Sequence, residues 1–387
     1  MILQRRTLPG AKESRRGLKN QRGTMDKGVL TSFLLLLAMG LVVLYAASFY
    51  NAQDKSGGAL SEVVSQLQGV ALGAAAMIFI SRLDYRIFRD PRIYLGLLGL
   101  SLVLLALVAI PGIGRMLNGS RRWLKLGPVS FQPSEMAKYA MILFMANALG
   151  NPKRDIKKMI TGWMPLFVVP GVMFLLILKQ PNLSTAGSIV IVAVVMVMLA
   201  GARPLHLGLM GVVGAVVGMA YAWSEPYRRA RLLSFTDPFA KLSNEGYQLS
   251  QSLLAFGSGG WFGMGLGRGR QKYAFLPYPE SDFIFAVVGE DLGFVGCIAV
   301  ILMFCAFIFF GLRVAMRCPD RFGSLLAGGI TAMIGIQCVM NMMVVVGLMP
   351  TTGLPLPLFS AGGTSISIIM AAVGILLSIS RQSDRPI

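Results

Sequence analysis

Residues 284–311 read IFAVVGEDLGFVGCIAVILMFCAFIFFG, and this stretch decides the fold class. It exceeds the roughly 20 mostly apolar residues that a helix needs to cross a hydrocarbon core. Its apolar run is continuous, without the alternation of a lipid-facing β-strand. Lipid offers the backbone no partners, so such a run must satisfy itself as a helix. Glu290 and Asp291 interrupt it, and ionisable groups at that depth face protein or water.

Working outward, nine further stretches have the same character, near 29–47, 62–80, 93–111, 133–150, 162–178, 185–201, 205–223, 323–347 and 363–380. The expected fold is an all-α polytopic membrane protein of ten transmembrane helices. A large extracytoplasmic loop, 224–283, separates helices seven and eight. Residues 1–28 form a basic tail with no signal-peptide h-region, residues 29–381 the membrane domain, and 382–387 a second short tail. Composition agrees: of 387 residues, 55% are apolar and only 14% charged, against about a quarter charged in ordinary globular chains. The mean hydropathy is +0.66. A soluble enzyme, a disordered chain and a disulfide scaffold are excluded.

The charges that remain are biased, 36 Lys and Arg against 17 Asp and Glu. With ten spans both termini share a side, and 22 cations fall on it, eight of them in the first 28 residues. That side is therefore expected to be cytoplasmic. Eleven cations break the trend by clustering in two outer loops, 112–132 and 224–283. Either these are ordinary solvated loops, or they form an outward surface for an anionic ligand. His206 is the only histidine, which removes Ser–His and Cys–His nucleophiles and histidine metal sites. Cys297, Cys305, Cys318 and Cys338 form no CxxC pair, so neither a zinc site nor a disulfide framework is indicated.

Several residues carry candidate chemistry. Arg121 and Arg122 adjoin Trp123, which suits either an interfacial anchor or a guanidinium fork onto phosphate. Asn118-Gly119 before them is a turn signal. Glu135 and Lys138 share a helical face inside a span, as a structural salt bridge or a ligand contact. Lys179 precedes the helix-breaking Pro181 and either snorkels or meets the ligand. Gly263, Gly265, Gly267 and Gly269 alternate without a nucleotide-binding spacing, leaving Arg268 and Arg270 free to reach phosphate. Asp282, before Phe283-Ile284-Phe285, fits both a helix N-cap and a partly desolvated general base. Glu290 is read as a structural or gating acid. The segment 349–365, with three prolines, three glycines and no charge, looks re-entrant or cavity-lining. The hydroxyls of Ser360 and Thr364 there suit packing or contact with sugar and phosphate.

Together these motifs resemble the SEDS family (shape, elongation, division and sporulation). The resemblance rests on Asn118-Gly-Ser-Arg-Arg-Trp123, Gln132-Pro-Ser-Glu135-x-x-Lys138 and Lys179-Gln-Pro-Asn182-Leu-Ser-Thr-Ala186. It continues through Pro277-x-x-x-x-Asp282-Phe-Ile-Phe, Gly289-Glu290-x-Leu-Gly293 and Gly353-x-Pro-x-Pro-x-x-Ser360-x-Gly-Gly363-Thr-Ser365. It covers about residues 29–381, and the wording is closer to the FtsW/SpoVE branch than to RodA. It departs in three places. No histidine precedes Asp282, Asn182 and Ser184 replace the usual Asp and Gly, and Ala361 replaces a tyrosine.

The resemblance implies a ten-helix peptidoglycan glycosyltransferase in a bacterial cytoplasmic membrane, polymerising lipid II on the outer face during division or sporulation. It implies Asp282 as the catalytic carboxylate, with Glu135–Lys138 as the intramembrane pair and a diphosphate donor for the outer basic loops. The implied partners are a class B penicillin-binding transpeptidase and divisome or spore-cortex proteins; no nucleic acid is expected. No cofactor is evident, and a divalent cation bridging a diphosphate would leave no protein motif to read. A lipid II flippase is the rival expectation, since ten spans and an intramembrane charge pair suit transport too; a RodA-type elongation polymerase is a second.

Overall fold

The computed structural model describes residues 23–48, 60–117, 120–126, 129–224, 229, 235–239, 246–271, 275–277 and 279–383. Most of the basic N-terminal tail lies outside the described residues, as do Asn118-Gly119, Arg228, Arg231, Lys241, Lys272 and the end of the chain after Ser383.

Each apolar stretch found in the sequence is helical. The first three helices are α1 (Lys27–Ser48), α2 (Leu60–Arg82) and α3 (Pro91–Ala109). After α4 (Pro133–Leu149) come α5 (Val168–Leu178), α6 (Leu183–Leu199) and α7 (Pro204–Trp223). The short α8 (Tyr247–Gly259) precedes α9 (Ile284–Arg317), α10 (Arg321–Val345) and α11 (Gly363–Ser383). Among the described residues, seven helical stretches can cross a membrane by length and composition: α1, α2, α3, α9, α10, α11 and the run Met159–Leu178 that ends in α5. The helices α4 and α6 and the apolar part of α7 (Pro204–Ala220) are shorter. Many large apolar side chains point outward, among them Leu205 at 81% and Phe309 at 62% exposed. Such a surface is tolerated in lipid and not in water.

Two local departures have clear causes. The span expected from 162 begins as a π-turn (Met159–Trp163) and a 3-10 turn (Met164–Phe167) before α5. Pro165 lacks the N–H that a regular helix would use there. The loop 112–132 is a three-stranded antiparallel sheet, so the chain is mostly helical rather than all-α. Strands β1 (Gly114–Leu117), β2 (Ser120–Leu126) and β3 (Val129–Phe131) pair in that order. Leu117 pairs with Ser120 at the end of the β1–β2 pair. Alternation along β2 sends Leu124 into the core at 6% exposure and sets Arg121 and Trp123 on the opposite face.

The centre of the molecule is α10 and α11, each with 78% of its span buried, against 22% for α2 and α3. Helix α11 packs along α2, while α9 packs on α10, α1 and α8. A Cβ at Gly69 would strike the backbone carbonyl of Gly363. Small residues thus let α2 and α11 approach to backbone contact, the usual device for helix association in lipid.

The long apolar run that opened the sequence reading is not one helix. Gly293 adopts φ +68°, ψ −165° and breaks α9 into a half-helix to Leu292 and a long arm from Phe294. Only glycine adopts that conformation readily, and its missing side chain makes room for the backbone of Gly263 and Trp261.

Candidate functional site

The break at Gly293 brings the glycine run against the half-helix of α9. Glu290 and Asp291, 1% and 2% exposed, accept its backbone N–H groups. Asp291 takes Gly267 (3.0 Å) and Gly269 (3.1 Å); Glu290 takes Arg270 (2.5 Å) and Gln271 (2.9 Å). Buried carboxylates are costly unless hydrogen-bonded, and the loop's amides meet that need. A Cβ at Gly269 would sit 2.5 Å from Glu290 Oε2, so a side chain there would displace the carboxylate. Both acids therefore hold the loop in place, and the side chains of Arg268 and Arg270 stand exposed on it.

At the start of the same half-helix lies Asp282. The cap residue of that helix is Phe283, with no side-chain cap bond of its own. Its carboxylate accepts from Ser281 Oγ (3.2 Å) and faces a cavity of about 290 Å³. Arg122, Trp123 and Gln132 line one side of that cavity, Asn182 and Thr185 another. Ser120, Ser281, Gln337 and Ser365 add to its polar lining, together with the segment Gly353–Gly362 that carries Ser360. This segment is non-helical over most of its length and largely buried, as irregular backbone at membrane depth must be.

Beneath the cavity sits the charge pair of α4. Lys138 Nζ, fully buried, meets Glu135 Oε1 at 2.8 Å and donates to Gln337 Oε1 at 2.9 Å. Ser365 donates to Glu135 Oε2 at 2.7 Å. Gln337 and Ser365 both line the cavity while Lys138 does not, so the pair reaches it through these two neighbours.

The structure thus brings together Asp282, Arg122 and Ser360, with Lys138 and Glu135 one hydrogen bond behind. It separates the others. Arg122 is engaged by backbone: Nε donates to Gln180 O at 3.1 Å and Nη2 to Pro181 O. Arg121 is half-exposed on β2 and outside the lining. Lys179 is exposed at the end of α5, and the buried hydroxyl of Thr364 does not line the cavity. Asn182, where a carboxylate was noted as missing, caps α6 by accepting from Thr185 N at 3.3 Å. Sequence reasoning missed Gln337 and Asn341, polar residues four apart in an otherwise apolar span. That spacing on one helical face was the available signal. Among the described residues no group of three or more His, Cys, Asp or Glu is placed to hold a metal ion. Cys297, Cys318 and Cys338 are buried free thiols and Cys305 an exposed one.

A polytopic helical protein with a cavity that, among the described residues, is lined by one carboxylate and backed by an intramembrane ion pair is the class that fold and site define. Residues 27–385 match the model of the cell cycle protein family FtsW/RodA/SpoVE, and the chain belongs to that family. It is 41% identical over 350 residues to stage V sporulation protein E of Bacillus subtilis, covering 90% of this chain and 95% of that one. It is equally 41% identical over 359 residues to the probable peptidoglycan glycosyltransferase FtsW of Geobacter metallireducens, covering 92% and 95%. Among solved structures, a chain of a peptidoglycan synthase complex that coordinates polymerization and crosslinking superposes with a TM-score of 0.77. Identity there is 28%, over 94% of this chain and 99% of that one. The rod shape determining protein RodA of Thermus thermophilus superposes at 0.67 with 27% identity, over 94% and 98%.

Proposed function

We propose that this chain is a peptidoglycan glycosyltransferase that polymerises lipid II. The observation that carries the reading is the placement of Asp282, a carboxylate in the lining of a cavity that Arg122, Gln132, Asn182, Gln337 and Ser360 also line. In the proposed reaction Asp282 takes the proton of the acceptor sugar's 4-hydroxyl as that oxygen attacks C1 of the donor glycan. The C1–O bond to undecaprenyl diphosphate breaks, and the leaving diphosphate takes the electron pair without protonation. A phosphate leaving group needs no general acid, which suits a cavity whose described lining holds one carboxylate. Positive charge would compensate the developing anion: Arg122 from the cavity lining, with Arg121, Lys179, Arg268 and Arg270 as candidates outside that lining. Lys138 acts on the cavity through Gln337, and Ser360 and Thr364 belong to the wall segment and its supporting helix.

The remaining assignments follow from the same reading. Ten spans put both termini in the cytoplasm of a bacterium, with 1–28 and 382–387 as tails of a 29–381 membrane domain and 224–283 outside. The partners would be a class B penicillin-binding transpeptidase and proteins of division or spore-cortex synthesis; similarity to SpoVE and FtsW favours those settings over elongation. A divalent cation would act on the diphosphate itself. The test is lipid II polymerisation by purified protein. Asp282→Asn is expected to lower glycan synthesis by about 10²-fold or more while the protein elutes and melts as the parent does. Undiminished synthesis would overturn the assignment.

A further inference from the structure

Three consecutive carbonyls ending at Asp282 are each taken by a donor from one side of the cavity. Glu280 O accepts from Ala361 N at 2.8 Å, Ser281 O from Ser360 Oγ at 2.6 Å, and Asp282 O from Asn341 Nδ2 at 2.7 Å. Turns at helix starts usually leave such carbonyls to water or to their own helix. Here every one is tied to α10 or to the segment that follows it.

The donors of both side-chain ties are committed. Ser360 Oγ accepts from Leu356 N at 2.8 Å, which points its own proton at Ser281 O. Asn341 is 1% exposed, and its Nδ2 also donates to Leu354 O at 2.7 Å. Both partners are carbonyls, so the amide must present its nitrogen to them; its Oδ1 is buried without a hydrogen-bond partner among the described residues. Asn341 therefore bridges the backbone of Asp282 to the backbone of the opposite wall. Gly353, at φ +69°, stands just beyond that bridge, where an added Cβ would lie 3.1 Å from Asp282 Oδ2. The carboxylate and the wall it faces are one braced unit.

We propose that Asn341 and Ser360 are positioning residues that set the Asp282 carboxylate against the wall segment 353–362, and so against the sugar hydroxyl that enters between them. The inference rests on Asp282 acting as the base. A displacement of about 1 Å in a reacting group lowers rate by up to about 10²-fold without a matching loss of binding. The Nδ2 of Asn341 and the hydroxyl proton of Ser360 are already spent on backbone carbonyls, so the effect is expected on kcat.

The experiment compares Asn341→Leu, Ser360→Ala and Ser360→Thr with the parent in steady-state lipid II polymerisation. Ser378→Ala serves as a control, because that buried hydroxyl also ties two distant segments, donating to Leu83 O at 2.7 Å, but far from the cavity lining. Expected are losses of roughly 10- to 100-fold in kcat for Asn341→Leu and Ser360→Ala with KM within about threefold. Ser360→Thr, which keeps the hydroxyl, should recover most of the loss, and Ser378→Ala should keep its kcat. Where Asn341→Leu fails to fold, the Ser360 pair decides alone. The proposal is overturned if kcat holds in both variants, if KM carries the loss, or if Ser378→Ala loses as much. Asp282→Asn in the same assay separates the two readings: if it is inactive while the positioning variants keep kcat, only the positioning inference falls. If it is fully active, the base assignment falls first.

Discussion

Replacing Lys138 by methionine should destabilise the protein by about 3–5 kcal/mol, and neutralising Glu135 as well should return part of that. The ammonium is fully buried, 2.8 Å from Glu135 and 2.9 Å from Gln337. Methionine fills similar volume, so little cavity is created. The loss instead leaves Glu135, 2% exposed, with its charge met only by the Ser365 hydroxyl at 2.7 Å. Breaking a buried pair from one side costs about 3–5 kcal/mol, because an uncompensated charge remains. In the double variant Glu135→Gln/Lys138→Met no charge is stranded. What is lost then is about two hydrogen bonds, each worth about 1 kcal/mol. The double variant should therefore be more stable than the single one by roughly 1–3 kcal/mol. The assay is unfolding of purified protein in mixed micelles titrated with a denaturing detergent, read by near-UV circular dichroism. A Lys138→Met variant within about 1 kcal/mol of the parent would refute the argument, as would a double variant no more stable than the single.

Two further outcomes follow from the half-helix of α9. Glu290→Gln keeps an acceptor oxygen but gives up the charge on bonds to Arg270 N and Gln271 N, costing the loop about 1 kcal/mol. Trypsin should then cut after the exposed Arg268 and Arg270 several-fold faster than in the parent, and an unchanged rate would count against the clamp. Gly293→Ala meets the backbone of Gly263 and Trp261 at a positive φ, so it should cost more than about 2 kcal/mol, measured as lowered thermal midpoint and yield.

Legibility in the sequence followed the range of the interaction involved. Glu135 and Lys138 are three apart, so helix geometry alone sets them side by side. The helices themselves were legible because lipid imposes one period on every apolar run. The sheet at 114–131 was less so: Asn118-Gly119 marks a turn, but its strands are short and four of their residues are cationic, which hides the alternation. Gln337 and Asn341 vanish into the average hydropathy of α10, since two amides barely dilute a 25-residue helix. The break at Gly293 depends on a loop some thirty residues earlier in the chain, and a single glycine inside a helical pattern carries no mark of that. Which cations face the cavity was equally hidden, because Arg122 lines it by virtue of β2 while Arg268 and Arg270 are carried on a loop clamped from behind.

The half-helix between Asp282 and Gly293 also acts as a measured spacer. One end sets the carboxylate at the cavity; the other delivers Glu290 and Asp291 to four amides of the glycine run. Each added or deleted residue would turn one end against the other by about 100° and shift it about 1.5 Å along the axis. Side chains along this stretch can vary with their surroundings, but its length cannot. Evolution of this part of the chain should therefore proceed by substitution and never by insertion or deletion, with loop-length variation pushed out to segments that carry no phase.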